Sequence, residues 1–389
     1  MHKEKIIRVG CPSHNCGGRC LLRAHVKDGR ITRIETDDRP NDSVSDPQLR
    51  ACIRGRSYRH RQEHKDRLQY PMKRTGERGS GQFERISWDE ATDLVASNII
   101  RVKKRYGNTS LYVPYGTGGY NQMGGKWSAD RLMNMIGGAL GYYNSYSWAC
   151  ITKATKTVYG TDETGNQRQD WLNSDFILMW GWNPSEMRDG TNTEYFLKEA
   201  RKKGTRVICI DPRMTMSAVA LADEWIAIRP GTDVALMSAM AWVMITENLY
   251  DSDFVEQYCM GFDKSQMPKG YEHEESYKDY ILGTKDHQPK TPEWAETITS
   301  VSRHDITRIA REYAKAGAAV LYQGYGMQRR AYGEQVVRAG CVLAAMTGNV
   351  GKPGGWASGI ALQAGGGPCL LYTSPSPRDK IHDRVFRHV

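Results

Sequence analysis

Cys11, Cys16 and Cys20 crowd the start of the chain, and Cys52 follows just ahead of Ile53-Arg54-Gly55-Arg56. Four, three and thirty-one residues separate them. Four thiolates within reach of one another favour a soft metal and close either a zinc site or a four-iron cluster. Structural zinc commonly uses a two-residue turn between paired cysteines, and these gaps are longer. Gly17 and Gly18 let the backbone turn tightly and aim amides at sulfur. Cys11, Cys16, Cys20 and Cys52 are therefore expected to hold a 4Fe-4S cluster. Zinc stands as the other reading, and His14 as a substitute for Cys11. Arg54, two residues past Cys52, is placed to lie between a cluster and a second redox centre, or is a surface arginine.

The other cysteines point away from a disulfide scaffold, because nine spread over 389 residues make a poor framework. Cys150, Cys209, Cys259 and Cys341 sit in apolar or mixed surroundings and read as packing residues. No apolar run approaches the length of a membrane span. The first ten residues, MHKEKIIRVG, lack the pattern of a signal peptide, so the protein is expected to be cytoplasmic unless a leader precedes this sequence. The net charge is +10, with basic residues gathered between Arg50 and Arg74. Beside a cysteine site, that charge suits an anionic cluster and phosphates better than a nucleic acid, and no nucleic-acid partner is expected.

Beyond the cysteines the chain alternates strands and helices. Leu22, Ala24 and Val26 alternate, Asp28-Gly29 supplies a hairpin turn, and Ile31 and Ile34 continue a second strand. A short strand over 83–86 leads into Ser87-Trp88-Asp89-Glu90, a capping box. The helix that follows, to about residue 105, puts Ala91, Leu94, Val95, Ile99 and Val102 on one face. Residues 110–114 read as a strand ending in Tyr115-Gly116-Thr117-Gly118-Gly119. Residues 175–180 read as a buried strand ending in Gly181-Trp182-Asn183-Pro184. A helix over 193–203 and a strand over 206–210 follow, ending in Asp211-Pro212-Arg213. A strand over 225–228 ends in Arg229-Pro230-Gly231-Thr232-Asp233, and a helix runs from there to about 247. Residues 250–300 read as a polar, irregular surface excursion. A helix over 305–315, a strand over 318–323 ending in Gly324-Tyr325-Gly326-Met327-Gln328-Arg329, and a helix over 332–346 complete the pattern. In parallel α/β sheets nucleotides sit outside the carboxyl ends of strands, so these loops are the candidate dinucleotide site. Asp233 can accept from the ring N–H and amino group of guanine, or serve as a first-turn acid at a helix N-terminus.

Taken together, the motifs resemble the molybdenum-bis(molybdopterin guanine dinucleotide) oxidoreductases, and within them the catalytic subunits of bacterial dimethyl sulfoxide reductases. The stretches that carry the resemblance are ACIRGRS (51–57), RLQYPMKR (67–74), FERISWDEA (83–91), YGTG (115–118), IDPR (210–213), IRPGTD (228–233), VMITENL (243–249) and MTGNVG (346–351). It implies an α/β fold: a small β-rich iron-sulfur domain over 1–66, then α/β dinucleotide-binding domains over 67–367 in two interwoven parts split near 175. The family's C-terminal domain is missing. PCLLYTSPSPRDK opens a tail over 368–389 that reads as translated adapter sequence, expected to be non-native.

The resemblance also assigns roles. The four cysteines would hold the cluster, and Arg54 would lie on the electron path to the pterin. Thr117, Asn183, Glu186, Asp211, Arg213, Gly231, Asp233, Gln323 and Gln328 would contact the dinucleotide. Ser147 would ligate molybdenum, and Tyr115 would bond to the oxygen being transferred. Serine oxygen is a hard ligand suited to a high-valent metal. The implied function is reduction of dimethyl sulfoxide or a related S- or N-oxide by oxygen-atom transfer. Implied partners are a multi-cluster iron-sulfur subunit and a quinol-oxidising membrane anchor, and the implied location is the extracytoplasmic face of the membrane. Two departures stand out. The subgroup has three residues between its first two cysteines, and here there are four. Cys150 and Ser145 also flank Ser147, and a cysteine ligand would point to nitrate or formate chemistry. Selenate and other oxyanion reductases share the scaffold. A zinc-bearing α/β enzyme and a non-catalytic electron-transfer subunit are the readings outside this class.

Overall fold

The computed structural model describes residues 4–12, 20–114, 125–161, 164–187 and 190–359. The chain divides into two compact units. The first takes residues 1–145 and 184–193, and the second 146–183 and the described part of 194–389.

In the first unit, strands β1 (Lys5–Gly10), β2 (Leu21–Lys27) and β3 (Arg30–Thr36) form an antiparallel sheet in that order. Asp28 and Gly29, between β2 and β3, both have positive φ, at 50° and 77°. That is the backbone a tight two-residue hairpin turn requires, and the expected hairpin is present. Short helices α1 (Ile53–Arg56) and α2 (Tyr58–Gln62) follow, then the hairpin of β4 (Met72–Arg74) and β5 (Phe83–Arg85).

Helix α3 (Trp88–Tyr106) starts as the sequence suggests: the Ser87 hydroxyl accepts from the Glu90 amide at 3.0 Å. The reciprocal half of the capping box is replaced, because the Glu90 carboxylate accepts from Lys73 at 3.3 Å. Among the described residues none of the expected apolar face of α3 is fully buried: Ala91, Ile99 and Val102 are half-buried and Val95 is 57% exposed. Over 110–114 the expected strand is reduced to a 3-10 turn (Asn108–Ser110) and one bridge between Tyr112 and Leu140. Pro114 carries no amide hydrogen to extend a ladder. Helix α4 (Gly125–Met135) follows the glycine-rich loop, which lies outside the described residues.

The second unit opens with α5 (Ala149–Tyr159) and the central strand β6 (Phe176–Trp180). The chain passes through α6 (Pro184–Met187), part of the first unit, and returns in α7 (Thr193–Lys202). Strands β7 (Arg206–Ile210), β8 (Glu224–Ile226) and β9 (Ala319–Gln323) complete a parallel sheet in the order β8-β7-β6-β9. β6 is flanked on both sides in register: Trp180 lies opposite Ile210 and Gln323. Every residue of β6 and β9 is buried, as expected for a parallel sheet covered on both faces.

Helix α8 (Met216–Leu221) links β7 to β8, and α9 (Asp233–Thr246) follows β8. α9 is apolar nearly all round and buried accordingly, packed against helices α12 (Pro292–Thr299), α13 (Arg303–Lys315) and α14 (Gly333–Met346). The segment expected to be irregular forms three short helices, α10 (Ser252–Tyr258), α11 (Tyr277–Leu282) and α12. It also sends Val255, Phe262, Ile281 and Ala295 into the core. Each helix has a side-chain cap: Asp251, Ser276 and Thr291 accept from the amides of Phe254, Asp279 and Trp294. Among the described residues no helix is long and apolar enough to cross a membrane.

The chain order reverses between β6 and β9, and their carboxyl-end loops approach closely there. A Cβ on Gly324 would stand 1.9 Å from the Gly181 carbonyl oxygen. Gly324→Ala is expected to force these loops apart and to cost about 1–3 kcal/mol in urea unfolding. Gly326→Ala meets nothing within 4 Å and is expected to unfold like the wild type.

Candidate cofactor sites

Two of the four cysteines are built together. The Cys11 amide donates to the Cys20 carbonyl at 2.9 Å, so the end of β1 and the start of β2 bring the two residues together. Both residues are buried, in a small apolar set with Leu22 and Ile34. Cys52 immediately precedes α1, with extended backbone and no side-chain cap bond. Gly55, one turn into α1, packs so close that a Cβ would meet the Cys11 sulfur at 3.0 Å. The Cys20 sulfur is 3.4 Å from the Thr191 hydroxyl. Cys16 and His14 lie outside the described residues. Among the described residues no three His, Cys, Asp or Glu side chains gather closely enough to hold a metal. The donor set still fits an iron-sulfur cluster: thiols in an apolar shell, beside a helix start, with a glycine where a side chain would intrude.

Asp37 ties this region together. Its carboxylate, fully buried, accepts from the Leu49 amide at 2.9 Å and from Arg39 Nε at 2.8 Å. The Leu49 carbonyl in turn accepts from the Leu21 amide, and the Ala51 amide donates to Thr36 Oγ1. The run leading to Cys52 is thereby pinned to β2 and β3. Burial pushes the Asp37 carboxyl up, but the Leu49 amide and Arg39 outweigh it and hold the group below its ordinary value. Arg54 is exposed, on the first turn of α1.

Among the other described thiols, Cys209 and Cys341 are buried and Cys150 and Cys259 half-buried. Burial, with Asp211 nearby, pushes Cys209 up to about 12. Burial likewise pushes Cys341 to about 12 and raises Cys259. For Cys150, burial and then the Glu334 carboxylate raise the thiol. None is poised as a thiolate.

At the strand ends of the second unit the expected dinucleotide residues divide. Asp211 and Arg213 form a small turn in which the Arg213 amide donates to Asp211 Oδ1 at 2.9 Å, and the Arg213 side chain is exposed. Asn183 Oδ1 accepts from the Ser217 hydroxyl at 2.6 Å. Gly231 has φ of 85°. Asp233 is turned inward: its carboxylate accepts from Trp180 Nε1 at 3.0 Å and pairs with Arg330 at 3.6 Å. Gln323 is buried and donates to the Val336 carbonyl on α14. Gln328 is buried and donates to the carbonyls of Ser147, at 2.8 Å, and Tyr325, at 3.0 Å. Glu186 is exposed and belongs to the first unit. Tyr115 and Thr117 lie outside the described residues. Ser147 sits half-buried in the turn before α5. Arg330 and Trp180, which the sequence reading passed over, are the partners of Asp233; the Arg329-Arg330 pair after a glycine-rich strand end was the available signal.

The polar side chains at these strand ends suit a polar cofactor. Gly181, Gly231 and Gly324 let the Met327 side chain, the Arg330 side chain and the Gly181 carbonyl approach the strand-end backbone closely, and among the described residues the buried Trp182 Nε1 and Gln328 Oε1 have no hydrogen-bond partner. Buried polar groups are nearly always satisfied, so these two atoms are open to a partner outside the described residues.

Known proteins match both regions. A molybdopterin oxidoreductase Fe4S4 domain profile matches residues 5–64, and the molybdopterin oxidoreductase profile matches residues 67–379. The chain belongs to the molybdopterin oxidoreductase family. It is 47% identical over 365 residues to dimethyl sulfoxide reductase DmsA of Escherichia coli (strain K12), covering 90% of this chain and 44% of that protein. It is 34% identical over 293 residues to a trimethylamine-N-oxide reductase of Haemophilus influenzae, covering 72% of this chain and 34% of that protein. The chain thus spans under half the length of the curated relatives it matches. Among solved structures, acetylene hydratase from Pelobacter acetylenicus matches with a TM-score of 0.66 at 27% identity, over 88% of this chain and 43% of that one.

Asp37 gives a pH test of the cluster region. Its folded pKa lies below the unfolded value near 4, so its contribution is complete above that value. It fades as pH falls through the lower folded value. Asp37→Asn is expected to cost about 1.5–3 kcal/mol at neutral pH. In chemical unfolding, that gap from wild type should narrow steadily under acid conditions.

Proposed function

We propose that this chain supplies the cluster domain and the first cofactor-binding segments of a catalytic subunit that reduces dimethyl sulfoxide or a related S- or N-oxide. The observation that carries this reading is the 47% identity to a dimethyl sulfoxide reductase over 365 residues, covering 90% of this chain. Cys11, Cys16, Cys20 and Cys52 hold a 4Fe-4S cluster. Asp211, Arg213, Gly231, Asn183 and Thr117 receive the guanine dinucleotide arms of a molybdenum-bis(molybdopterin) cofactor, with Asp233, Glu186, Gln323 and Gln328 as supporting residues. When bound, that cofactor supplies two-electron oxygen-atom exchange and the cluster supplies single electrons.

The protein's part is positional and electrostatic. Ser147 offers its oxygen as a hard ligand at the head of α5. The Tyr115 hydroxyl donates a hydrogen bond to the oxide oxygen, orienting the substrate. Arg54, on the cluster side, keeps positive charge on the electron path. The net change is oxide plus two electrons and two protons giving the reduced compound and water. An iron-sulfur subunit and a quinol-oxidising membrane anchor supply the electrons, and the complex works at the extracytoplasmic face of the membrane. Within this class, the 34% identity to a trimethylamine-N-oxide reductase supports N-oxides as substrates.

A substrate panel with reduced viologen as donor tests this on the complete enzyme. Turnover of dimethyl sulfoxide or trimethylamine N-oxide is expected, falling by about 100-fold or more in Ser147→Ala as an essential ligand is lost. Turnover of nitrate or selenate alone, or a Ser147→Ala enzyme as active as wild type, overturns the reading.

A further inference from the structure

Gln328 was expected, from the resemblance, to contact the dinucleotide. Its side-chain nitrogen is engaged within the chain as well. The side chain is 1% exposed, and its amide donates at once to the carbonyls of Ser147 and Tyr325. The same two segments meet three more times. The Tyr146 hydroxyl donates to the Arg329 carbonyl. The rings of Trp148 and Tyr325 stand 5.6 Å apart. The Cys150 thiol meets Glu334 at the start of α14.

The loop that holds Gln328 is itself constrained. A Cβ on Gly333 would stand 1.9 Å from the Gln328 carbonyl oxygen, and Tyr332 is held at φ 58°. Loop 325–334 therefore closes on 146–150 as a clamp with Gln328 at its centre.

We propose that Gln328 is a positioning residue for Ser147: by fixing the Ser147 carbonyl it fixes the direction in which the hydroxyl leaves the backbone. This rests on the proposed role of Ser147 as the molybdenum ligand. A carbonyl held from one side leaves its peptide plane little freedom to turn, because the peptide unit is rigid. The side chain one bond away inherits that orientation. The two carbonyls need donors, and the amide of glutamine has two. An apolar side chain of the same size supplies neither.

The test uses the loaded, full-length enzyme and the electron paramagnetic resonance of its half-reduced molybdenum, which reports ligand geometry directly. Gln328→Met and Gln328→Glu are both expected to shift that signal. They should lower kcat by about tenfold or more, as misplacement does, with KM within about twofold. Gln328→Glu keeps the shape and carries the comparison if Gln328→Met fails to fold. Tyr159→Phe is the matched control. The Tyr159 hydroxyl lies within hydrogen-bond distance of two carbonyls, Cys341 and Ala357, at the far end of the same helix. It is expected to leave the signal at its wild-type position. A wild-type signal and kcat in both Gln328 variants, or an equal shift in Tyr159→Phe, overturns the proposal. A wild-type signal in Ser147→Ala overturns instead the ligand assignment on which it rests.

Discussion

Strand β6 is paired in parallel on both sides, with Phe176 opposite Arg206 and Ala319, and Trp180 opposite Ile210 and Gln323. Because the three strands end level, their carboxyl-end loops emerge together. Because chain order reverses between β6 and β9, this end of the sheet is its topological switch point. The rest of the second unit serves this register. α9 is buried nearly all round beneath the sheet, and Trp182 stacks on Tyr322 with ring centroids 3.8 Å apart, joining the ends of β6 and β9. Gly181 and Gly324 let the two loops touch. The Gln328 clamp grows out of the β9 loop, so the placement of Ser147 traces back to the same pairing.

The cluster region solves a different problem with different means. Its sheet is small and β1 is largely exposed, so apolar burial alone cannot hold the cysteines in place. A single buried carboxylate, Asp37, replaces a core by tying the run before Cys52 to the hairpin. Cys11, Cys20 and Cys52, three of the four thiols proposed to hold the cluster, lie in this hydrogen-bonded frame. Among the described residues, burial raises the thiols of Cys150, Cys209, Cys259 and Cys341 and so favours their protonated forms.

Legibility in the sequence followed the range of the interactions. The Asp28-Gly29 turn, the Ser87 cap and the buried strands β6, β7 and β9 are encoded by residues next to one another, and each was readable. The three helices between Ser252 and Thr299 were not, because six to eight residues show too little periodicity. Their caps at Asp251, Ser276 and Thr291 were the readable signal. The strand expected over 110–114 failed for want of a partner, which lies at Leu140 and is not visible locally. At the candidate site the strand-end loops were legible as loops, but the direction of each polar side chain was not. Asp233 turns to Trp180 and Arg330, and Gln323 and Gln328 turn to backbone carbonyls, because partners far along the chain compete for them.

The central claim is that one end of this chain grips iron and sulfide while the strand ends of its parallel sheet receive a molybdenum-pterin dinucleotide. Metal, sulfide and nucleotide analysis of the complete protein, purified without oxygen, tests it most directly. The account predicts iron and acid-labile sulfide in equal amounts, abolished together by Cys52→Ala, with molybdenum and guanine nucleotide retained in the wild type. Zinc in place of iron and sulfide, or a protein free of molybdenum and guanine nucleotide, would contradict it.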